Sequence, residues 1–124
     1  MSRAVGPYSP VRRVGDWVIT SGQVGVVTDR AGTATKVEGG TVPELRQALQ
    51  NVAEVLAIEG ATLPDVVKTT VFLADLDDFA AVNEVWVEFF ADPEHRPTRS
   101  TVGVAGLPLG ARVEVEAWAY APVV

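Results

Sequence analysis

Leu45, Ala48, Leu49, Val52, Val55 and Leu56 recur at steps of three and four residues, which makes one apolar stripe along a helix. Thr41 and Glu44 stand three apart ahead of that stripe, the spacing of a capping box. Pro43 falls in the first turn, where a missing N–H costs little, and Gly60 is the expected left-handed terminator. A second helix is predicted from about Asp77 to Phe90, with Phe79, Val82, Trp86 and Phe89 as its stripe. Asp75, Asp77 and Asp78 suit its positive N-terminal end. Between the helices, the β-branched run Val66 to Leu73 reads as a central strand. Val11 to Val14 and Trp17 to Ser21 are short β-rich runs around Gly15-Asp16, a hairpin signal. Gly25 to Gly40 reads as a glycine-rich loop holding one short strand near Thr35 to Val37. Asp92 to Pro97 is a loop. Two strands, about Thr98 to Val104 and Ala111 to Tyr120, close the chain as a hairpin whose turn contains Gly106, Pro108 and Gly110.

The element order is therefore β-β-(β)-α-β-α-β-β, an α+β class in which both helices cover one face of a single sheet. On the last strand Trp118 and Tyr120 share a face with Arg112, Glu114 and Glu116, opposite Val113, Val115, Ala117 and Ala119. Large aromatics among charges on the face without helices fit burial against another subunit. The alternative is a solvated face with stray aromatics.

Composition removes several classes. The chain has 124 residues, 48% of them hydrophobic and 21% charged, the balance of one globular domain spanning 1–124. It has no cysteine, so neither a disulfide framework nor a cysteine metal site is available. Ten Lys/Arg against 16 Asp/Glu leave a net charge of −6, without the electrostatic footprint of a nucleic-acid binder. No apolar run approaches the roughly 20 residues that span a bilayer, and Met1 to Pro7 lacks the apolar stretch of a leader. A cytoplasmic location is the expectation.

The last two strands carry the most chemistry. If their valines face the helices, Arg99, Thr101, Glu114 and Glu116 lie together on the opposite face. A planar guanidinium binds a carboxylate through two parallel hydrogen bonds. A nearby glutamate orients or activates a water, unless an ion pair with the arginine consumes it. The plainer reading is a cross-strand pair or two solvated charges. Tyr8 sits in the turn-like Gly6-Pro7-Tyr8-Ser9, and Ser21-Gly22-Gln23 ends a strand where a glycine permits close approach to the backbone. Asn83 borders the second helix's stripe, facing either a site or solvent. His95, the lone histidine, reads as solvated and without a partner. No metal-ligand cluster, phosphate loop or dinucleotide spacing is present.

Gly6-Pro7-Tyr8-Ser9, Ser21-Gly22-Gln23, Phe79-Ala80-Ala81-Val82-Asn83, Pro97-Thr98-Arg99-Ser100 and Val113-Glu114-Val115-Glu116-Ala117 occur in order. Their order and spacing resemble the RidA family, also called YjgF/YER057c/UK114, over Ala4 to Ala119. The resemblance implies a chorismate-mutase-like α+β fold: a six-stranded sheet with two helices on one face. It also implies a homotrimer with active sites in clefts between subunits. The implied activity is hydrolysis of reactive 2-enamine and 2-imino acids, such as 2-aminoacrylate/2-iminopropanoate and 2-iminobutanoate, to 2-oxo acids and ammonia, with no cofactor. A non-enzymatic small-molecule binder, a chaperone-like trimer, or a hydrolase for another pathway intermediate is the alternative. A ribonuclease fits the charge poorly. Carried over residue by residue, the carboxylate-binding arginine is Arg99, the water-positioning glutamate Glu114 and the pocket tyrosine Tyr8. Ser21, Gly22, Asn83 and Thr101 complete the substrate site. The chain departs from the family pattern at Thr101, where cysteine is frequent, and at Thr98, where alanine is. Pro10 stands where glutamine is common, and Val24-Gly25-Val26 replaces an Ile-Pro-Leu-like run.

Overall fold

The computed structural model describes residues 6–123, so the expectation about a leader falls partly outside them. The core of the fold is the stripe of α1 (Thr41–Ile58) laid on the valine and alanine face of the last strand. Leu45, Leu49, Val52 and Leu56 of α1 are sealed against Val113, Val115, Ala117 and Ala119. Six strands form the main sheet: β1 (Val11–Val14), β2 (Trp17–Thr20), β3 (Gln23–Val24), β6 (Val66–Leu73), β7 (Thr98–Gly103) and β8 (Val113–Tyr120). Its order is β1-β2-β8-β6-β7, with β3 also paired to β8. α2 (Phe79–Phe89) buries Val82, Val85 and Trp86 in the same core, so both helices lie on one face as expected. No helix among the described residues is long and apolar enough to cross a membrane.

Gly60 does end α1 with φ +78, and the N–H groups of Gly60 and Ala61 reach back to Ala57 and Leu56. Arg13 of β1 donates to the Glu59 carbonyl from Nε and Nη2, placing a cation at the negative end of α1. The expected capping box does not form. Gly40 is the cap, and Glu44 turns inward, where its carboxylate accepts the Arg112 N–H at 2.8 Å. Thr41 instead donates to Asp78, tying the starts of the two helices together.

The Gly25 to Gly40 stretch holds more structure than its glycines suggest. β4 (Val26–Thr28) and β5 (Ala34–Lys36) form a separate two-stranded ribbon. Asn51 of α1, fully buried, donates to the Val24 and Val26 carbonyls and pins this segment to the helix. α2 begins at Phe79, two residues later than expected, because a 3-10 turn over Leu76–Asp78 precedes it. Phe79 is 46% exposed and does not join the core stripe.

The most consequential correction concerns the last two strands, which are not a hairpin. β6 lies between them, parallel to β7 and antiparallel to β8. Arg99 is in register with Thr69 and Thr101 with Val71, and both partners face the helices. Glu114 is in register with Phe72 and Glu116 with Thr70 on the opposite face. Val102 is 41% exposed on that same far face. Arg99 and Glu114 therefore lie on opposite sides of the sheet.

Candidate functional site

Two candidate groups of side chains result, one on each face. The first is built by α2 against the edge strand β7. Asp75 accepts the Asp77 N–H at 2.9 Å and starts the turn that leads into α2. Phe79, Asn83 and Trp86 then recur at steps of four and three on one side of the helix. The Arg99 guanidinium lies over this side. Its Nη2 donates to Asn83 Oδ1 at 2.6 Å. Its central carbon is 5.0 Å from the Trp86 ring centre and 5.4 Å from that of Phe79. Burial pulls its pKa below the ordinary arginine value. Thr101 follows two residues on, with its Cα on the same face. A cleft of about 360 Å³ opens here, lined by Asn83, Trp86, Val87, Arg96, Pro97 and Arg99.

The loop after α2 holds a second correction. His95 has a partner: its Nδ1 lies 2.7 Å from Asp92 Oδ2, and both side chains are exposed. The pair closes a turn in which Asp92 also accepts the Glu94 N–H.

The second candidate group is on the face without helices. Ser21 and Gly22 join β2 to β3, and Glu114 of β8 stands over Gly22. A Cβ at position 22 would lie 2.6 Å from the Glu114 carboxyl carbon, so only glycine lets the carboxylate settle there. Burial raises the Glu114 pKa, and the neighbouring Glu116 charge raises it further. Ser21 Oγ donates to the Ser9 carbonyl at 2.5 Å and its N–H to the Pro10 carbonyl at 2.8 Å. These bonds anchor the segment carrying Tyr8, whose side chain is half exposed. A cleft of about 340 Å³ between β1 and β2 borders Ser9 and Ser21.

The structure thus brings Arg99 together with Asn83, and Glu114 with Gly22, and separates the two groups. It adds Trp86 and Phe79 as the bed of the arginine. In the sequence both aromatics read as core. The only available signal was Asn83 set between them on the same helical face.

The fold defines a class: a small α+β domain with two helices on one face of a mixed sheet and candidate site residues on both faces. The chain belongs to the endoribonuclease L-PSP family, also called the RidA family, whose family model matches residues 1–121. It is 44% identical over 114 residues to the 2-iminobutanoate/2-iminopropanoate deaminase of Mus musculus, covering 92% of this chain and 81% of that protein. The crystal structure of the YjgF gene product of E. coli superposes with a TM-score of 0.82 at 40% identity, covering 96% of this chain and 91% of that one. The structure of E. coli TdcF with bound serine is similar, with a TM-score of 0.83 at 38% identity over 96% of this chain and 91% of that one.

Proposed function

We propose that the chain hydrolyses 2-imino acids of the 2-iminobutanoate/2-iminopropanoate kind, in a site completed by a second copy of itself. The observation that carries the second half of this reading is the placement of Arg99 and Glu114 on opposite faces of one sheet. A substrate bound at Arg99 meets a Glu114 only if another copy brings its uncovered face to this edge. That face offers Trp17, Trp118 and Tyr120, exposed and stacked edge to face, with ring centres 6.2 and 5.2 Å from Trp17. The contact is heterologous, uncovered face to helix-side edge, so a rotation that closes generates a ring. A homotrimer of chorismate-mutase-like subunits, with three such clefts, fits this geometry.

The chemistry needs few groups. Arg99, steadied by Asn83 and the two rings, binds the substrate carboxylate through its remaining N–H groups and fixes the C=N carbon. Glu114 of the neighbouring copy accepts a proton from water as the oxygen bonds to that carbon. Attack on the protonated imine gives a carbinolamine, whose nitrogen takes the proton back from Glu114; its hydroxyl then gives its own proton to the Glu114 carboxylate as the C=O bond forms and the C–N bond breaks. A 2-oxo acid and ammonia leave. Tyr8 and Thr101 line the approach and bond to substrate or water. The raised pKa of Glu114 makes it a stronger base than an ordinary glutamate.

The direct test couples the protein to a dehydratase that releases 2-aminoacrylate from serine, and follows the decay of the imine. Wild type accelerates the decay and Arg99→Ala does not. No acceleration by folded wild-type protein contradicts the reading.

A further inference from the structure

The arginine cleft holds a second cation that the reaction above does not use. Arg96 and Arg99 both line it, and among the described residues no acidic one does, in a chain whose net charge is −6. Arg96 is fixed in place. Its Nε donates to the Phe90 carbonyl at 2.7 Å and its Nη2 to the Ala91 carbonyl at 3.4 Å, at the C-terminal end of α2. Its Nη1 is uncommitted among the described residues, and Arg96 makes no ion pair there. Asp92 feels its charge, but the oxygens of Asp92 are engaged by Glu94 N–H and His95. Pro97 stiffens the short link between the two arginines. A cleft with two held guanidiniums suits a ligand with two carboxylates.

We infer that this cleft selects 2-imino acids with an acidic side chain, Arg99 taking the α-carboxylate and Arg96 the distal one. The inference rests on the hydrolase reading for its substrate class, but not for its binding preference. Nothing in the reaction changes. The distal carboxylate stays intact while water replaces the imine nitrogen.

Two measurements on the full chain test it. In the first, amino-acid oxidases generate the imines of aspartate and of alanine, and kcat/KM is compared between them. Wild type favours the diacid imine by about tenfold or more, the scale of one charge-assisted hydrogen bond. Arg96→Gln brings the ratio towards one, and Arg96→Lys restores part of it. A wild-type ratio near one, or a ratio that Arg96→Gln leaves unchanged, overturns the inference and shows Arg96 to be a helix cap only. In the second, succinate and butyrate are titrated by calorimetry. Succinate binds more tightly to wild type, and the difference vanishes in Arg96→Gln. Equal binding of the two acids overturns the inference without reference to turnover. Succinate preference with neither imine hydrolysed upholds the diacid cleft and removes the hydrolase reading instead.

Discussion

Glu114 sits where two effects raise its pKa: burial against Gly22 first, then the charge of Glu116 two residues along the same face. In the proposed reaction Glu114 is the general base and works ionised, so activity is expected to fall as pH drops through its folded pKa. The acid limb of the pH–rate profile therefore lies above the ordinary value of 4.5. Glu116→Gln removes the smaller cause and moves that limb down, while the limb stays above the ordinary value because burial remains. A limb that does not move assigns the titration to another group. For stability the sign is opposite to that of a salt-bridged acid. Folded Glu114 holds its proton more tightly than the unfolded chain does. Its contribution to stability therefore falls as pH rises from the ordinary value to the raised one, and is level above it. The candidate site residues Arg99, Glu114, Gly22 and Asn83 were singled out by the family resemblance, since each stands in a local pattern that is weak alone. What they touch was not. The aromatic bed of Arg99 depends on how a helix meets a strand, whereas the Asp92 partner of His95 stands three residues away in one turn, a local spacing that the sequence reading passed over.

Elements of strong period were readable, and those held by tertiary bonds were not. α1 and β6 are long, with six apolar positions on one stripe and a β-branched run, and both occur where the pattern puts them. β3, β4 and β5 span two or three residues each and carry no period to read. Buried side chains of α1 hold this region: Asn51 on the Val24 and Val26 carbonyls, and Glu44 on the Arg112 N–H, with Lys36 3.9 Å from its other oxygen. Glu44 is only 1% exposed, so truncating it leaves a donor unpaired in the interior. Glu44→Ala is expected to destabilise the protein by about 2–4 kcal/mol, and Glu44→Gln, which keeps an acceptor, by less. Urea unfolding at one protein concentration reads this as a lower midpoint at unchanged slope. Equal midpoints for Glu44→Ala and wild type contradict the account of α1's inner face. The supposed C-terminal hairpin failed for a different reason. α2 carries the chain from β6 to its parallel neighbour β7, and β8 then returns on the far side of β6. Sequence adjacency does not report that insertion, and the valine of β7 on which the parity rested faces away from the helices.

At the scale of the whole molecule, charge and the uncovered face decide the reading. A net charge of −6 opposes binding of a polyanion such as RNA, in spite of the ribonuclease in the family's name. The two-arginine cleft is instead a local positive site of small-molecule size. The aromatic face was visible from the alternation along β8, and the expectation that another subunit covers it came from a one-layer arrangement of helices on a sheet. Clefts between subunits were implied by the family resemblance, whereas residue parity put Arg99 and Glu114 on one face; the proposed sharing of a site between copies rests on β7 and β8 presenting opposite sides. Subunit complementation tests this claim most directly. Arg99→Ala and Glu114→Gln proteins, each inactive alone, are unfolded, mixed in equal amounts and refolded together. If every cleft takes its arginine from one copy and its glutamate from the next, about a quarter of the clefts are intact in a random mixture. Roughly a quarter of wild-type imine hydrolysis then returns, whereas a mixture with no activity, from variants shown to co-assemble, contradicts the shared site.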